Sequence, residues 1–402
     1  MKILVLAPHP FFQNRGTPIA VKMLVETLVA SGHRITVLTY PEGEDPKIPS
    51  CSLVRLKQLS WVKGVKPGFS WKKLVYDWYL FLALTKMLKK ERFDVIHAVE
   101  ESAFLAAWFG GKYSIPFVYD MDSSLSHQLG EKTVLLKPFL PVFRLLEKKV
   151  VQRATGVIPV CRAIEDVVKG YDSNVLCQRL EDVSLLPADT GESPPARTRL
   201  TLEPDAFHVM YVGNLEKYQG IDLLLDSFVL AVREEKRARL VIIGGSDGDI
   251  KFYAEKSTSL GIGDKVLFAG RRPVADLRYY LTQADILVSP RSKGFNTPMK
   301  IYSYLDSNRV VLATRMQTHT QVLDGEIAYL VEATATSMAA GMVELMKRED
   351  LRKILAARAG ERVREEYTVA AFERKLNRFY DLLEQQIGAE LKQTETGKII
   401  KG

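Results

Sequence analysis

The chain repeats one pattern twice: short apolar runs rich in β-branched residues, each followed by a longer stretch with helical spacing. KILVLA (2–7), RITVLTY (34–40), CSLVRLKQL (51–59), DVIHAV (94–99), PFVYDM (116–121) and GVIPV (156–160) form the first set of strands. Helices are expected between them over 18–31, 70–91, 101–111 and 139–153. Strands that are apolar throughout must be covered on both faces, which selects a parallel, doubly wound sheet. The alternation then lapses into PADTGESPPARTRLTLEPD (187–205), whose Pro, Asp, Thr and Glu mark a surface connection.

It restarts with HVMYVGNL (208–215), ARLVIIGG (238–245), KVLFAG (265–270), DILVSP (285–290), VVLAT (310–314) and IAYLVE (327–332). Helices near 220–235, 249–260, 274–283, 298–306 and 335–347 separate these runs. The expected fold is therefore α/β, with two doubly wound, Rossmann-like domains facing across a cleft. The first domain is expected over 1–190 and a linker over 191–206, with the second domain over 207–367. A helix over 368–387 is expected to pack back on the first domain, and the polar tail 388–402 to be disordered. Folds of this kind bind ligands at the carboxyl ends of their strands, so both domains should contribute to one site.

Composition narrows the setting. Three cysteines, Cys51, Cys161 and Cys177, have no metal-type spacing and suit a reducing, cytoplasmic compartment, so no metal is expected. The opening MKILVLAPHPFF has too short an apolar run before Pro8 for a secretory signal and reads as a first strand. No apolar stretch approaches the ~20 residues that span a bilayer. A net charge of +8 and a pI near 9.1 fit either an anionic lipid surface or nucleic acid, and no nucleic-acid motif accompanies them. Residues 57–92 are basic and aromatic at once, with Trp61, Phe69, Trp71, Trp78 and Tyr79 among lysines. They could form a face that lies peripherally on the inner surface of the cytoplasmic membrane, or core for the helix over 70–91.

Several loops carry chemistry. In SPRSKGFNTPMKIYSYLDSN, Arg291 and Lys293 precede Asn296-Thr297-Pro298, a helix start in which Asn or Thr caps and Pro takes the first helical position. Met299 and Lys300 follow in the first turn. A lysine there opposes the helix dipole unless an anion completes the site, and free N–H groups at a helix start cradle phosphate. The first βα loop repeats the arrangement with Arg15, Gly16, Thr17 and Pro18, an anion or sugar loop or a plain helix start. In FVYDMDSS, Asp120 and Asp122 fall on one side of an extended segment and suit an acceptor hydroxyl or general base, unless one caps the next turn. Gly213 and Gly220 frame the loop of VGNLEKYQG, and GRRP places Arg271 and Arg272 after a strand, either at the cleft edge or as a solvated pair.

Assembled in order, these segments resemble the retaining GT-B glycosyltransferases of family 4. RGTPIAVKMLVETLVASGH with RITVLTY is similar to that family's first loop, helix and second strand. VMYVGNLEKYQGIDLLLDSF, LVIIGG, VLFAGRRPVADLRYYLTQADILVSP, NTPMKIYSYLDSNRVVLAT and DGEIAYLV resemble its nucleotide-binding half. The resemblance implies transfer of a sugar from a UDP- or GDP-sugar, with no other cofactor, to a glycan or lipid-linked acceptor. It implies donor contacts from Gly213, Asn214, Gln219, Arg271, Arg291, Lys293, Asn296 to Met299 and Ser303, with Lys300, Asp122 and Asp120 in catalytic roles.

This chain also departs from the family. Asn214 and Gln219 stand where an Arg and a Lys usually contact the diphosphate, Ser303 where a Glu holds the ribose, Phe295 where another Glu begins that motif, and Asp122 where a His is frequent. Arg291, Lys293 and Lys300 could supply the missing positive charge for the leaving group. Two alternatives remain at this stage: a catalytically weak or inactive GT-B protein that binds a nucleotide sugar or partner, and a sugar-nucleotide epimerase.

Overall fold

The computed structural model describes residues 1–13, 16–62, 71–126, 138–187 and 199–399, the last ten of these by backbone only. The chain forms two compact units, Met1–Glu181 with Phe372–Gly402, and Asp182–Ala371. In the first unit the strands are β1 Lys2–Ala7, β2 Arg34–Thr39, β3 Cys51–Arg55, β4 Val95–Val99, β5 Phe117–Met121, β6 Gly156–Pro159 and the two-residue β7 Leu176–Cys177. They pair in parallel in the order β3-β2-β1-β4-β5-β6-β7. Its helices are α1 Gly16–Ala30, α2 Trp71–Lys90, α3 Ser102–Tyr113, α4 Leu140–Arg153 and α5 Arg162–Tyr171.

Right-handed crossovers decide which face each helix covers. The step from β1 to β2 runs one way along the sheet, and those from β3 to β4 and onward run the other. So α1 lies on one face, and α2, α3, α4 and α5 line the opposite face as successive neighbours.

In the second unit the strands are β8 Phe207–Val212, β9 Ala238–Ile243, β10 Val266–Gly270, β11 Ile286–Ser289, β12 Val310–Thr314 and β13 Tyr329–Val331. They pair in parallel in the order β10-β9-β8-β11-β12-β13. Its helices are α6 Ile221–Glu234, α7 Asp247–Ser259, α8 Leu277–Thr282, α9 Lys300–Leu305, α10 Gln317–Thr320, α11 Ala335–Lys347 and α12 Glu349–Glu366. The strand alternation fills two cores: Val209, Leu240 and Val288 point to one face, and Met210, Val241 and Leu287 to the other. That is why the sequence runs are apolar without interruption.

Three expectations are corrected. The second unit takes the chain back to Asp182, because Ser184 Oγ donates to Asp306 (2.6 Å) and Leu185 N donates to Ser303 Oγ (2.9 Å). Of the tail expected to be disordered, residues 388–399 continue the last helix, α13 Val369–Ile399, and 400–402 lie outside the described residues. Helices α5 and α12 lie where none was expected. Helix α13 joins the first unit, where Asn377 accepts from Ser31 (2.7 Å), and Phe379 lies against Gly156.

Candidate functional site

In an open parallel sheet, the crevice opens where the strand order reverses. In the second unit that point lies between β8 and β11, so the loops after these two strands define the site. The loop after β8 runs from Gly213 through a short 3₁₀ turn, Lys217–Gln219, to Gly220 in the left-handed region at φ 79°. A β-carbon on Gly220 would stand 1.9 Å from Pro290 O, so only glycine lets the two loops meet. Ser292 N donates to Tyr218 O (3.3 Å), and the Arg291 guanidinium lies 5.1 Å from the Tyr218 ring centre. Gly220→Ala is expected to cost about 2 kcal/mol or more of stability through backbone strain. Denaturant unfolding of the variant against wild type checks this.

Lys300 is aimed into this junction. It opens α9, and one turn later Tyr304 Oη accepts from Val212 N (2.7 Å), fixing that face of the helix against the end of β8. Lys300 Nζ donates to Gln219 Oε1 (3.0 Å) and lies 3.9 Å from the Tyr211 ring centre. A β-carbon on Gly213 would stand 3.1 Å from that amine. Burial, and then the like charge of Arg291, hold the Lys300 pKa well below the usual lysine range. The departure at position 219 now has a physical account: a lysine there would repel Lys300, whereas the glutamine carbonyl accepts from it.

The helix expected near Pro298 starts at Lys300, and neither Asn296 nor Thr297 caps it. Ile301 N donates to Pro298 O (3.0 Å) and Tyr302 N to Met299 O (3.3 Å), closing the entry with tight turns instead. Asn296 Oδ1 accepts from Arg291 (3.3 Å), and the buried Thr297 Oγ1 has no hydrogen-bond partner among the described residues.

Arg291, expected as a donor contact, is tied into its own loop. It is buried, and its guanidinium donates to Lys293 O (2.9 Å) and Asn296 O (3.0 Å), clipping its own loop. Arg271 Nε braces Gly245 O (3.0 Å), and Lys293 is exposed. Ser303, whose family position holds ribose, is buried and accepts from Leu185 N.

Sequence reasoning missed His319. Its Nδ1 donates to Thr314 O (2.8 Å), which makes Nε2 the acceptor for Ser289 Oγ (2.9 Å). Burial pushes its pKa down to about 4, so the ring is neutral at physiological pH and serves as a fixed strut under the β11 and β12 loops. A lone His in THTQVL carries no signal that could have revealed this.

In the first unit the order reverses between β1 and β4. The β1 loop leads into α1 at Gly16, so Thr17 lies inside the first turn and is not its cap, while Arg15 lies outside the described residues. Asp120 and Asp122 lie in different settings. Asp120 is buried in β5 and accepts from His97 Nε2 (3.1 Å), whose Nδ1 bonds Tyr380 Oη (2.8 Å) on α13. Asp122 stands beyond the last strand residue, at the head of a loop.

That loop is anchored by the buried Glu147 carboxylate of α4. Glu147 accepts from Ser124 Oγ (2.8 Å), Leu125 N (2.7 Å), Ser126 Oγ (3.2 Å) and Tyr171 Oη (3.0 Å).

A cluster at the ends of β2 and β4 was also illegible in the sequence. Lys73 ion-pairs with Glu101 and lies 3.7 Å from Glu100, while Tyr40 Oη donates to Asp77 (2.5 Å). Burial, and then Glu100, push the Glu101 carboxyl up to about 7. Among the described residues no group of three His, Cys, Asp or Glu could hold a metal ion.

Two family descriptions match the chain: "Glycosyl transferase 4-like domain" over residues 15–174 and "Glycosyl transferases group 1" over 206–348. The D-inositol 3-phosphate glycosyltransferase of Corynebacterium aurimucosum is 23% identical over 72% of this chain and 71% of its own. The phosphatidyl-myo-inositol mannosyltransferase of Mycolicibacterium smegmatis is 23% identical over 90% of this chain and 89% of its own. Among solved structures, Anabaena HepE in complex with UDP-glucose superposes with a TM-score of 0.72 at 15% identity, covering 95% of this chain and 99% of that one. The two matched regions take in the greater part of both units and lie in the family's order, so the chain belongs to the group 1 glycosyltransferases, with a glycosyltransferase 4-like first domain and the GT-B fold.

Proposed function

We propose that the protein is a retaining, metal-independent glycosyltransferase that moves a sugar from a UDP- or GDP-sugar to a hydroxyl of a glycan or lipid-linked acceptor at the inner face of the cytoplasmic membrane. One observation carries the donor reading: a lysine amine drawn out of water at the strand-order reversal, whose contacts among the described residues are an amide carbonyl and an aromatic face, with no carboxylate. A diphosphate supplies the missing counter-charge. As the bond to the sugar breaks, negative charge grows on the leaving oxygen, and a positive group already in place lowers that barrier without reorganisation.

Relatives support the same reading. HepE was solved with UDP-glucose, and the mycolicibacterial relative is named for a phosphatidylinositol acceptor. Asp122, at the head of the loop anchored by Glu147, is the residue we assign to the acceptor hydroxyl, and Gly16 and Thr17 to the acceptor or diphosphate loop. Asp120, committed to His97, positions that strand end.

Thermal denaturation against UDP-, GDP-, ADP- and TDP-glucose tests the donor. A ligand at a hundredfold excess over its Kd should add ~2.7 kcal/mol to the apparent stability. Stabilisation by a UDP- or GDP-sugar alone is expected. If none of the four shifts the transition of the folded protein, the donor reading fails. Mass spectrometry of the products then separates transfer or hydrolysis from epimerisation, and a bound but unconverted donor would identify a binding protein.

A further inference from the structure

Three neighbouring helices on one side of the first sheet share a layout that a water-facing surface does not require. Helix α2 buries Tyr76, Leu80, Leu84 and Leu88. Its outward arc exposes Trp71, Leu74, Trp78 and Leu82 over the first three turns, then Lys86 and Lys89. Helix α4 shares much of this, with Val142, Leu145 and Leu146 exposed beside Arg144 on its first half and Lys149 and Arg153 on its second. Between them, α3 exposes Trp108 and then Lys112, whose amine lies 4.9 Å from the Trp108 ring centre.

Each helix leads away from a strand's carboxyl end in an all-parallel sheet, so the three run side by side in one direction. Their leading halves therefore form one largely apolar band near the carboxyl ends, and, Arg144 aside, the exposed cations form a second band behind it.

Tryptophan placement and charge both point to the occupant. All four tryptophans of the chain lie here: Trp61, Trp71, Trp78 and Trp108 are 61%, 56%, 60% and 48% exposed. Trp61 stacks on Trp71 at 6.1 Å, and Phe81 joins Trp78 (5.5 Å) to Trp108 (5.3 Å). Residues with so much apolar area are mostly covered in a folded chain, and their exposure together marks a contact surface. The only carboxylates in the three helices, Asp77 and Glu147, point inward, so the outward arcs carry cations alone. A second copy of this face would set like charges against each other.

We propose that this three-helix face seats on an anionic lipid bilayer, its aromatic and aliphatic band entering the headgroup boundary while the lysines and Arg153 meet lipid phosphates. No helix among the described residues is long and apolar enough to cross a membrane, so the contact is peripheral. Seating by α2, α3 and α4 together, with their leading ends dipping in, brings the carboxyl edge of the first sheet to the lipid. That consequence, though not the docking itself, rests on the lipid-linked acceptor proposed above.

The test uses the full chain and vesicles of phosphatidylcholine alone or mixed with phosphatidylglycerol. Flotation with the mixed vesicles is expected, with a blue shift of tryptophan emission and quenching by brominated lipid. Because every tryptophan is in the face, the emission reports on nothing else. Leu145→Glu with Leu146→Glu, remote from any tryptophan substitution, should cut binding about tenfold or more. Lys149→Glu should weaken binding to mixed vesicles about fivefold or more and leave any binding to neutral ones unchanged. A cooperative urea transition near that of the wild type verifies that each variant folds.

Absence of flotation with both vesicle types overturns the proposal, as does flotation indifferent to the α4 changes. Self-association abolished by the same changes would show that a second copy covers the face, and would also overturn it. Neither failure touches the donor reading, which is measured on the protein without lipid.

Discussion

Replacing Lys300 with methionine is expected to raise the melting temperature of the ligand-free protein while lowering kcat/KM by about tenfold or more, equivalent to ~1.4 kcal/mol of transition-state stabilisation. The two effects share one cause. The Lys300 amine has Gln219 Oε1 at 3.0 Å and the Tyr211 ring at 3.9 Å, and the neighbouring formal charge, Arg291, has the same sign. Methionine fills similar space without a desolvated charge. A gain on the order of 1 kcal/mol corresponds to roughly 2–4 °C for a domain of this size. A variant with wild-type kinetics would remove Lys300 from the leaving-group role. A lower melting temperature would mean that the lysine stabilises the apo fold.

The pH dependence separates these contributions. The native pKa of Lys300 lies below its unfolded value, so between the two the unfolded chain binds more protons and wild-type stability rises with pH. The advantage of Lys300→Met should therefore be largest near neutral pH and shrink as pH approaches the ordinary lysine value. A bound diphosphate acts in the opposite sense: it raises the native pKa, so nucleotide affinity should fall with rising pH in the wild type and stay flatter in the variant. Melting curves with and without UDP across that range read both signs. His319 gives a second limb. With its native pKa near 4, stability contributed by the neutral ring is present above about pH 6.5 and is lost as pH falls toward 4.

The strands and the two-sheet architecture were legible because burial on both faces leaves an unbroken apolar run, and the repeated set of such runs can be satisfied by few folds. The elements that escaped are those whose identity depends on what they touch. β7 has two residues, too few for any period. The segment at 182–186 resembles nothing in composition, yet Ser303 and Asp306 tie it to the second unit. The helical continuation past residue 388 is composed largely of Ala, Glu, Lys and Gln, good helix formers that are also common in disordered tails.

The same division runs through the candidate site. Gly220 and Gln219 lie on the loop after β8 and Lys300 opens the helix that follows β11, the two strands that flank the order reversal, and their residue types were informative locally. Glu101, Lys73, Asp77 and Tyr40 come from three separate segments, and only the strand order brings them together. Asp120 shows the opposite failure. Its two-residue spacing from Asp122 promised a shared face, but the strand ends at Met121 and a buried histidine from β4 takes its carboxylate.

Glu147→Ala should cost about 3–5 kcal/mol, the largest stability loss expected at a single polar residue here. The change orphans one backbone N–H and three hydroxyls in the interior, at ~1–3 kcal/mol for each donor that finds no new partner. The hydroxyls can turn toward other acceptors, whereas the Leu125 N–H cannot, which keeps the total below the simple sum. Tyr171→Phe removes one donor and leaves the carboxylate three others, so it should cost only about 1 kcal/mol. Urea midpoints of the two variants give the ratio, and an alanine variant within 1 kcal/mol of wild type would show that Glu147 does not anchor the loop.

The kinetic consequence follows from position. Leu125 lies three residues after Asp122, so freeing its N–H releases the loop assigned above to the acceptor, and on that proposal kcat/KM toward acceptor should fall while donor stabilisation persists. Glu147 also follows directly on Leu145 and Leu146, which point outward from the same helix. With α4 seated on lipid as proposed above, the Glu147 carboxylate is a direct link from that face to the Asp122 loop. Weakening that link should therefore reduce turnover of a vesicle-embedded acceptor more than that of a short water-soluble one.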